Sequence, residues 1–114
     1  MPRPPKKRCI CSIPRNLEFH PANDAACGEV RLNFDEYETI RLLDMEKKSQ
    51  AQCALRMNVS RTTVTRIYDS AREKIADALV NGRRIVIGGG DVIVCSEVKP
   101  ECINEERCCH KRGS

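Results

Sequence analysis

Cysteine and histidine are the residue types of this 114-residue chain that first suggest chemistry; it holds eight of the one and two of the other. Cys9 and Cys11 are separated by one residue, Cys27 follows, and Cys95, Cys102, Cys108, Cys109 and His110 lie towards the C-terminus. A structural zinc site takes four tetrahedral nitrogen or sulfur ligands, usually with two of them close in sequence. Cys102 with Cys108, Cys109 and His110 makes one candidate set. Cys9, Cys11 and Cys27 with one tail residue make another, provided that the two ends of the chain meet. Zinc or an iron–sulfur cluster would suit such ligands, and loose or redox-active thiols are the competing reading. Adjacent cysteines form a strained chelate, so only one of Cys108 and Cys109 is expected to bind a given ion. Cys53 is expected in the core, as free cysteines commonly are. His20, between Phe19 and Pro21, reads as a surface loop residue. No Ser/His/Asp or Cys/His set stands out, and the acidic residues at 35–38 suit a helix start, so no enzymatic activity is expected.

The second chemistry is cationic. Lys and Arg number 20 against 16 Asp and Glu, for a net charge of +4. Residues 1–16 hold Arg3, Lys6, Lys7, Arg8 and Arg15 with no acid, so the positive excess sits there. Pro2, Pro4, Pro5 and Pro14 prevent a continuous helix in this segment. An extended basic arm suits phosphates or a minor groove, and a solvated tail is the alternative. The length fits one ordinary domain. With 4% aromatic residues and no Trp, its core must be modest. No apolar run reaches membrane-spanning length. The basic start leads into no apolar stretch, so no secretory signal is expected and the chain is expected in the cytoplasm with reduced thiols.

Three helices are expected to position the remaining groups. Asp35 is placed as the N-cap of the first, with Phe34 folding back as a hydrophobic staple and Glu36 and Glu38 complementing the helix dipole. Tyr37, Ile40, Leu43 and Met45 recur near helical spacing, and Lys47 and Lys48 close the segment. A short second helix spans about 49–57, with Cys53, Ala54 and Met57 inward. Asn58 and Val59 turn the chain, and Ser60 caps a long third helix that stops at Asn81–Gly82. Val64, Ile67, Tyr68, Ala71, Ile75, Ala78 and Leu79 give it an inner face. Short helix, tight turn and long helix are the layout of a helix-turn-helix, with small Ala54 at the crossing and Val59 as the wedge. The outer face then carries Arg61, Thr62, Thr65, Arg66 and Asp69, with Thr63 at its edge. Arginine can grip guanine, threonine can meet a thymine methyl or a phosphate, and the N–H groups at Ser60–Thr62 can meet a phosphate. A plain helical hairpin with a solvated polar face is the alternative. Beyond it, residues 84–94 hold two β-branched runs around Gly88–Gly90, which reads as a hairpin. A lone hairpin is marginal in water, so this one is expected to pack on the helices, pair near Val30–Leu32, or pair with a second copy to give a dimer.

The stretch Asp35–Leu79 resembles region four of bacterial sigma factors. The resemblance rests on Asp35-Glu36-Tyr37-Glu38, Gln52-Cys53-Ala54, Val59-Ser60-Arg61-Thr62-Thr63-Val64 and Ser70-Ala71-Arg72-Glu73-Lys74. Roughly residues 1–90 are similar to a family of small prokaryotic proteins of unknown function described as predicted DNA-binding proteins. Here the matching pieces are Met1-Pro2-Arg3-Pro4, Asp35-Glu36-Tyr37-Glu38, Ile40-Arg41-Leu42, Val59-Ser60-Arg61, Ala71-Arg72-Glu73-Lys74, Ala78-Leu79 and Gly88-Gly89. The resemblance implies DNA binding and a cysteine-containing tail. This chain lacks the cleaner Cys-x-x-Cys pairs expected near both ends, which weakens any metal site carried over from it.

The expected fold is therefore mainly α: a basic arm and loop at 1–33, a helix-turn-helix at 34–82, a β-hairpin at 83–95 and a Cys-rich tail at 96–114. The expected function is sequence-specific binding of double-stranded DNA to regulate transcription. Ser60, Arg61, Thr62, Thr63, Thr65 and Arg66 would contact DNA from the third helix, and Arg3, Lys6, Lys7 and Arg8 from the arm. Metal or oxidants would act through the cysteines. The alternative is a thiol- or metal-binding adaptor that contacts RNA polymerase or another protein without reading DNA.

Overall fold

Ser49 and Ser60 each start a helix through the same device. Each side-chain hydroxyl accepts a backbone N–H three residues on, from Gln52 and Thr63 respectively, at 3.1 Å. Gln52 returns the bond to the Ser49 N–H, which closes a capping box. These helices are α2 (Gln50–Met57) and α3 (Arg61–Asn81), preceded by α1 (Phe34–Ile40). The computed structural model describes residues 8–23, 27–90 and 92–94. Among the described residues there are also five short strands: β1 (Arg8–Ile10), β2 (Glu18–Phe19), β3 (Glu29–Leu32), β4 (Arg84–Ile87) and β5 (Val92–Val94).

The first helix differs from the sequence expectation in two ways. The N-cap of α1 is Asn33, not Asp35, and Glu36 folds back to accept the Asn33 N–H at 2.9 Å. Asp35 is instead buried and paired with Arg8 at 2.7 Å. The first helix also does not run unbroken to Lys48. After Ile40 the backbone widens into a π-helical turn over Arg41–Met45, and Lys47 reverses the chain with a φ of 60°. That extra residue per turn shifts the inner face. Leu42 is fully buried, Leu43 half-buried, and Met45, expected inward, stands exposed.

The second and third helices follow the expected limits. Asn58 adopts the left-handed conformation after α2, and Gly82 does so after α3. Val59 donates its N–H to the Ala54 carbonyl at 3.0 Å, which folds the turn against α2. One core cluster follows directly: Leu42, Cys53, Ala54, Met57 and Val64, with Leu43 and Val59 packed on it. A second joins Leu32, Ala71 and Ile87 with Phe34, Tyr37, Ile40, Ile75 and Ile85. Leu79, expected inward, is exposed near the end of α3.

The strands overturn the hairpin and the mainly-α reading, and the fold is mixed α/β. β4 and β5 do not pair with each other. β4 is the middle of a three-stranded sheet, parallel to β3 and antiparallel to β2, and β5 pairs in parallel with β1. The register runs Val30 with Ile85 and Leu32 with Ile87 in the larger sheet, and Cys9 with Ile93 in the smaller. A parallel neighbour 55 residues away satisfies the same β-branched run that a hairpin partner would. It also lays Leu32 and Ile87 together against Ala71 of α3. The Gly88–Gly90 stretch passes close to the start of α1, where Gly89 accepts the Phe34 N–H at 3.0 Å. At Gly90, with φ of 96°, an added Cβ would approach the Asn33 side chain to 3.3 Å. The glycines serve a tight passage past a helix start.

Candidate nucleic-acid interface

Alternation of burial along α3 builds the candidate face. Val64, Ile67 and Ala71 lie against the cores, so the helical period turns Arg61, Thr62, Thr65, Arg66 and Asp69 to solvent. Thr63 is half-buried, and its hydroxyl is within 2.9 Å of the Ser60 hydroxyl. Among the described residues, neither Arg61 nor Arg66 has an ion pair or a side-chain hydrogen bond. Both guanidinium groups are therefore free to meet an external anion or a base edge. Further along, Tyr68 donates its hydroxyl to Asp44 in the π turn at 2.8 Å, and the Arg72 guanidinium lies 5.2 Å from the Tyr68 ring centre.

Two contributions were not evident from sequence reasoning. Gln50, at the start of α2, accepts the Thr65 hydroxyl at 3.0 Å and so joins the face of α3 from the neighbouring helix. The capping box Ser49-x-x-Gln52 marks Gln50 as a first-turn residue, but no short-range signal links positions 50 and 65. Arg56 is almost fully buried, three residues after Cys53 and on the same side of α2, and it donates to the Cys11 sulfur at 3.0 Å. A helical-wheel plot would have shown this arginine on the core face.

Behind the face, the first strand is tied to α1 and α2 by polar contacts. The Cys11 N–H donates to Glu38 at 2.8 Å, and Glu38 also accepts from Arg41 at 2.8 and 3.0 Å. Arg41 pairs in addition with Glu46, and these carboxylates hold its guanidinium firmly charged against the cost of burial. Burial pushes the Cys11 thiol up, and the neighbouring Glu38 carboxylate adds to that. Burial also raises Cys53, to about 12, with Glu38 again contributing. On the other side of α1, Glu36 accepts from Ser70 at 2.6 Å and from Lys74 at 2.7 Å. Burial raises its carboxyl, but these bonds and the Asn33 N–H outweigh burial and hold it below the usual carboxylate value.

The predicted arm and metal residues are placed differently from one another. Arg8 is drawn into the ion pair with Asp35, which removes it from the set of free cations. Arg3, Lys6 and Lys7 lie outside the described residues, as do Cys95, Cys102, Cys108, Cys109 and His110. Cys9 and Cys11 are buried, whereas Cys27 is exposed and bonded through its N–H to Gly82 at the end of α3. These three cysteines do not form one ligand set. Among the described residues no group of three or more His, Cys, Asp and Glu side chains is arranged to hold a metal ion. Nor is any described helix long and apolar enough to cross a membrane.

Comparison with known proteins identifies the family. The profile of DUF134, described as a protein of unknown function, matches residues 1–95. The chain belongs to the DUF134 family. A UPF0251 protein of Desulfitobacterium hafniense strain Y51 is 44% identical over 114 residues, covering 98% of this chain and 89% of the relative. A UPF0251 protein of Thermoanaerobacter pseudethanolicus is 48% identical over 99 residues, covering 85% and 84%. One from Clostridium novyi is 47% identical over 93 residues, covering 80% and 63%. The DUF134 match takes in all three helices and all five strands, so the family shares the segment that carries the candidate face. No solved structure matches the chain.

Proposed function

We propose that this protein binds specific sites in double-stranded DNA and regulates transcription, with α2 and α3 acting as a helix-turn-helix. One observation carries the reading: the N-terminal half of α3 exposes Arg61, Thr62, Thr65 and Arg66 on one side while Val64 and Ile67 anchor the other. In a helix-turn-helix that half of the second helix enters the major groove. A guanidinium held there without an intramolecular partner can make a bidentate contact to guanine, which separates one base pair from the others. The resemblance of Asp35–Leu79 to sigma factor region four points the same way. Arg3, Lys6 and Lys7 would add phosphate contacts, which strengthen binding without reading sequence.

Selection from random duplexes at low salt, followed by affinity measurements on the enriched site, tests this. Arg66→Ala should relax preference at one base pair, with a loss of about 1–3 kcal/mol of discrimination there. Lys6→Ala should weaken all duplexes alike and reduce the salt slope by about one. Failure to enrich any site, or binding unchanged in both variants, overturns the reading.

A further inference from the structure

Thr65 stands at the centre of the exposed face, and its hydroxyl is already engaged. It bonds to Gln50 Oε1 at 3.0 Å and to the Arg61 carbonyl at 3.2 Å. A helical threonine divides between two χ1 rotamers, one of which turns its oxygen back onto the carbonyl four residues earlier. Here the backbone acceptor and the Gln50 carboxamide both select that rotamer. With its one proton shared between two intramolecular acceptors, the side chain has no donor left for a base or a phosphate. Its oxygen can still accept a hydrogen bond, but a phosphate needs a donor, and what the side chain offers for apolar contact is its methyl group. In the major groove the matching apolar feature is the C5-methyl of thymine.

We infer that Thr65 reads a thymine methyl by apolar contact, and that Gln50 is the positioning residue that keeps the Thr65 hydroxyl turned away from the groove. The assignment rests on the DNA-binding reading above and names a base that this face selects. It separates the two roles open to Thr65 from sequence alone, because a hydroxyl aimed at a phosphate would have to leave both of its acceptors. Gln50 acts through its neighbour. Without its carboxamide, the hydroxyl keeps only the weaker, longer bond to the helix backbone, and the second rotamer becomes accessible.

The test removes one methyl group at a time from each side of the contact. On the site selected by the wild-type protein, each thymine is replaced in turn by uracil, which lacks only the C5-methyl. At one position the wild-type protein should bind the uracil duplex about fourfold more weakly, the effect of one buried methyl group. Thr65→Val keeps the methyl and should retain that ratio. Thr65→Ser loses the methyl, and its thymine and uracil duplexes should bind equally. Gln50→Ala should shrink the ratio while leaving discrimination at the Arg66-dependent base pair intact, a separation that general weakening of the fold would not produce. If no thymine-to-uracil change alters wild-type binding, if Thr65→Ser keeps the ratio, or if Thr65→Val abolishes it, the assignment is overturned while the DNA-binding reading survives. If the wild-type protein enriches no site at all, the DNA-binding reading itself is overturned.

Discussion

Buried polar side chains set the chemistry at the scale of single residues. Glu36 is nearly inaccessible, yet it accepts from a backbone N–H, a hydroxyl and an ammonium group. Its folded-state carboxyl lies below the ordinary value. A depressed pKa stabilises the fold at pH above the unfolded-state value, about 4.3. That contribution is lost as pH falls from there through the folded value. Glu36→Gln should therefore cost about 1–3 kcal/mol in urea melts at pH 7 and flatten the pH dependence of stability below about pH 5. The thiols give a second expectation. Burial raises Cys11, and raises Cys53 to about 12, which leaves them protonated at neutral pH, and only the thiolate is nucleophilic. Iodoacetamide at pH 8 should label exposed Cys27 far faster than Cys11 or Cys53 in the native protein, with the difference vanishing in denaturant. Equal native rates by peptide mass spectrometry would contradict the burial of these thiols.

Local chemistry was most informative at the scale of elements. Ser49, Asn58, Ser60 and Gly82 delimit α2 and α3 because capping and left-handed termination depend on residues within one turn. Ser60→Ala removes the acceptor for the Thr63 N–H and should lower stability by about 1 kcal/mol, measured as a shift in urea midpoint at unchanged slope. Local signals were weakest where competing acceptors lay close together. Asn33 and Asp35 both suit a cap, and the choice fell to Asn33 because Arg8, 27 residues from Asp35, draws that carboxylate into a half-buried ion pair. The π turn at Arg41–Met45 had no sequence signature either. It lets Leu42 enter the core and Arg41 reach both Glu38 and Glu46.

Pairing across long sequence separation organises the whole molecule. Strands from before the helices meet strands from after them: β1 with β5, and β3 and β2 with β4. The segment read as an arm from its charge is thus partly core, with Ile10 only 2% exposed. Ile10→Ala should cost about 2–5 kcal/mol, read as a lowered midpoint in thermal or urea unfolding. A cost below about 0.5 kcal/mol would mean that this strand is peripheral. The exposed face of α3 depends on this arrangement, because β3 and β4 cover Ala71 on the opposite side and leave Arg61, Thr62, Thr65, Arg66 and Asp69 facing solvent.

From the order of residues alone came the three helices, the ends of the second and third, the packing of Ala54, Val59 and Val64, and the polar outer face. Each depends on helical periodicity or a cap, and both act over three or four residues. Tertiary contact alone decided that Arg8 pairs with Asp35, that Gln50 holds Thr65, that Cys27 lies apart from Cys9 and Cys11, that β4 takes the pairing near Val30–Leu32 from among the options open to it, and that β2 lies on its other edge. Those outcomes depend on which distant groups compete for the same donor, acceptor or strand edge, and that competition is resolved only when the chain is closed on itself.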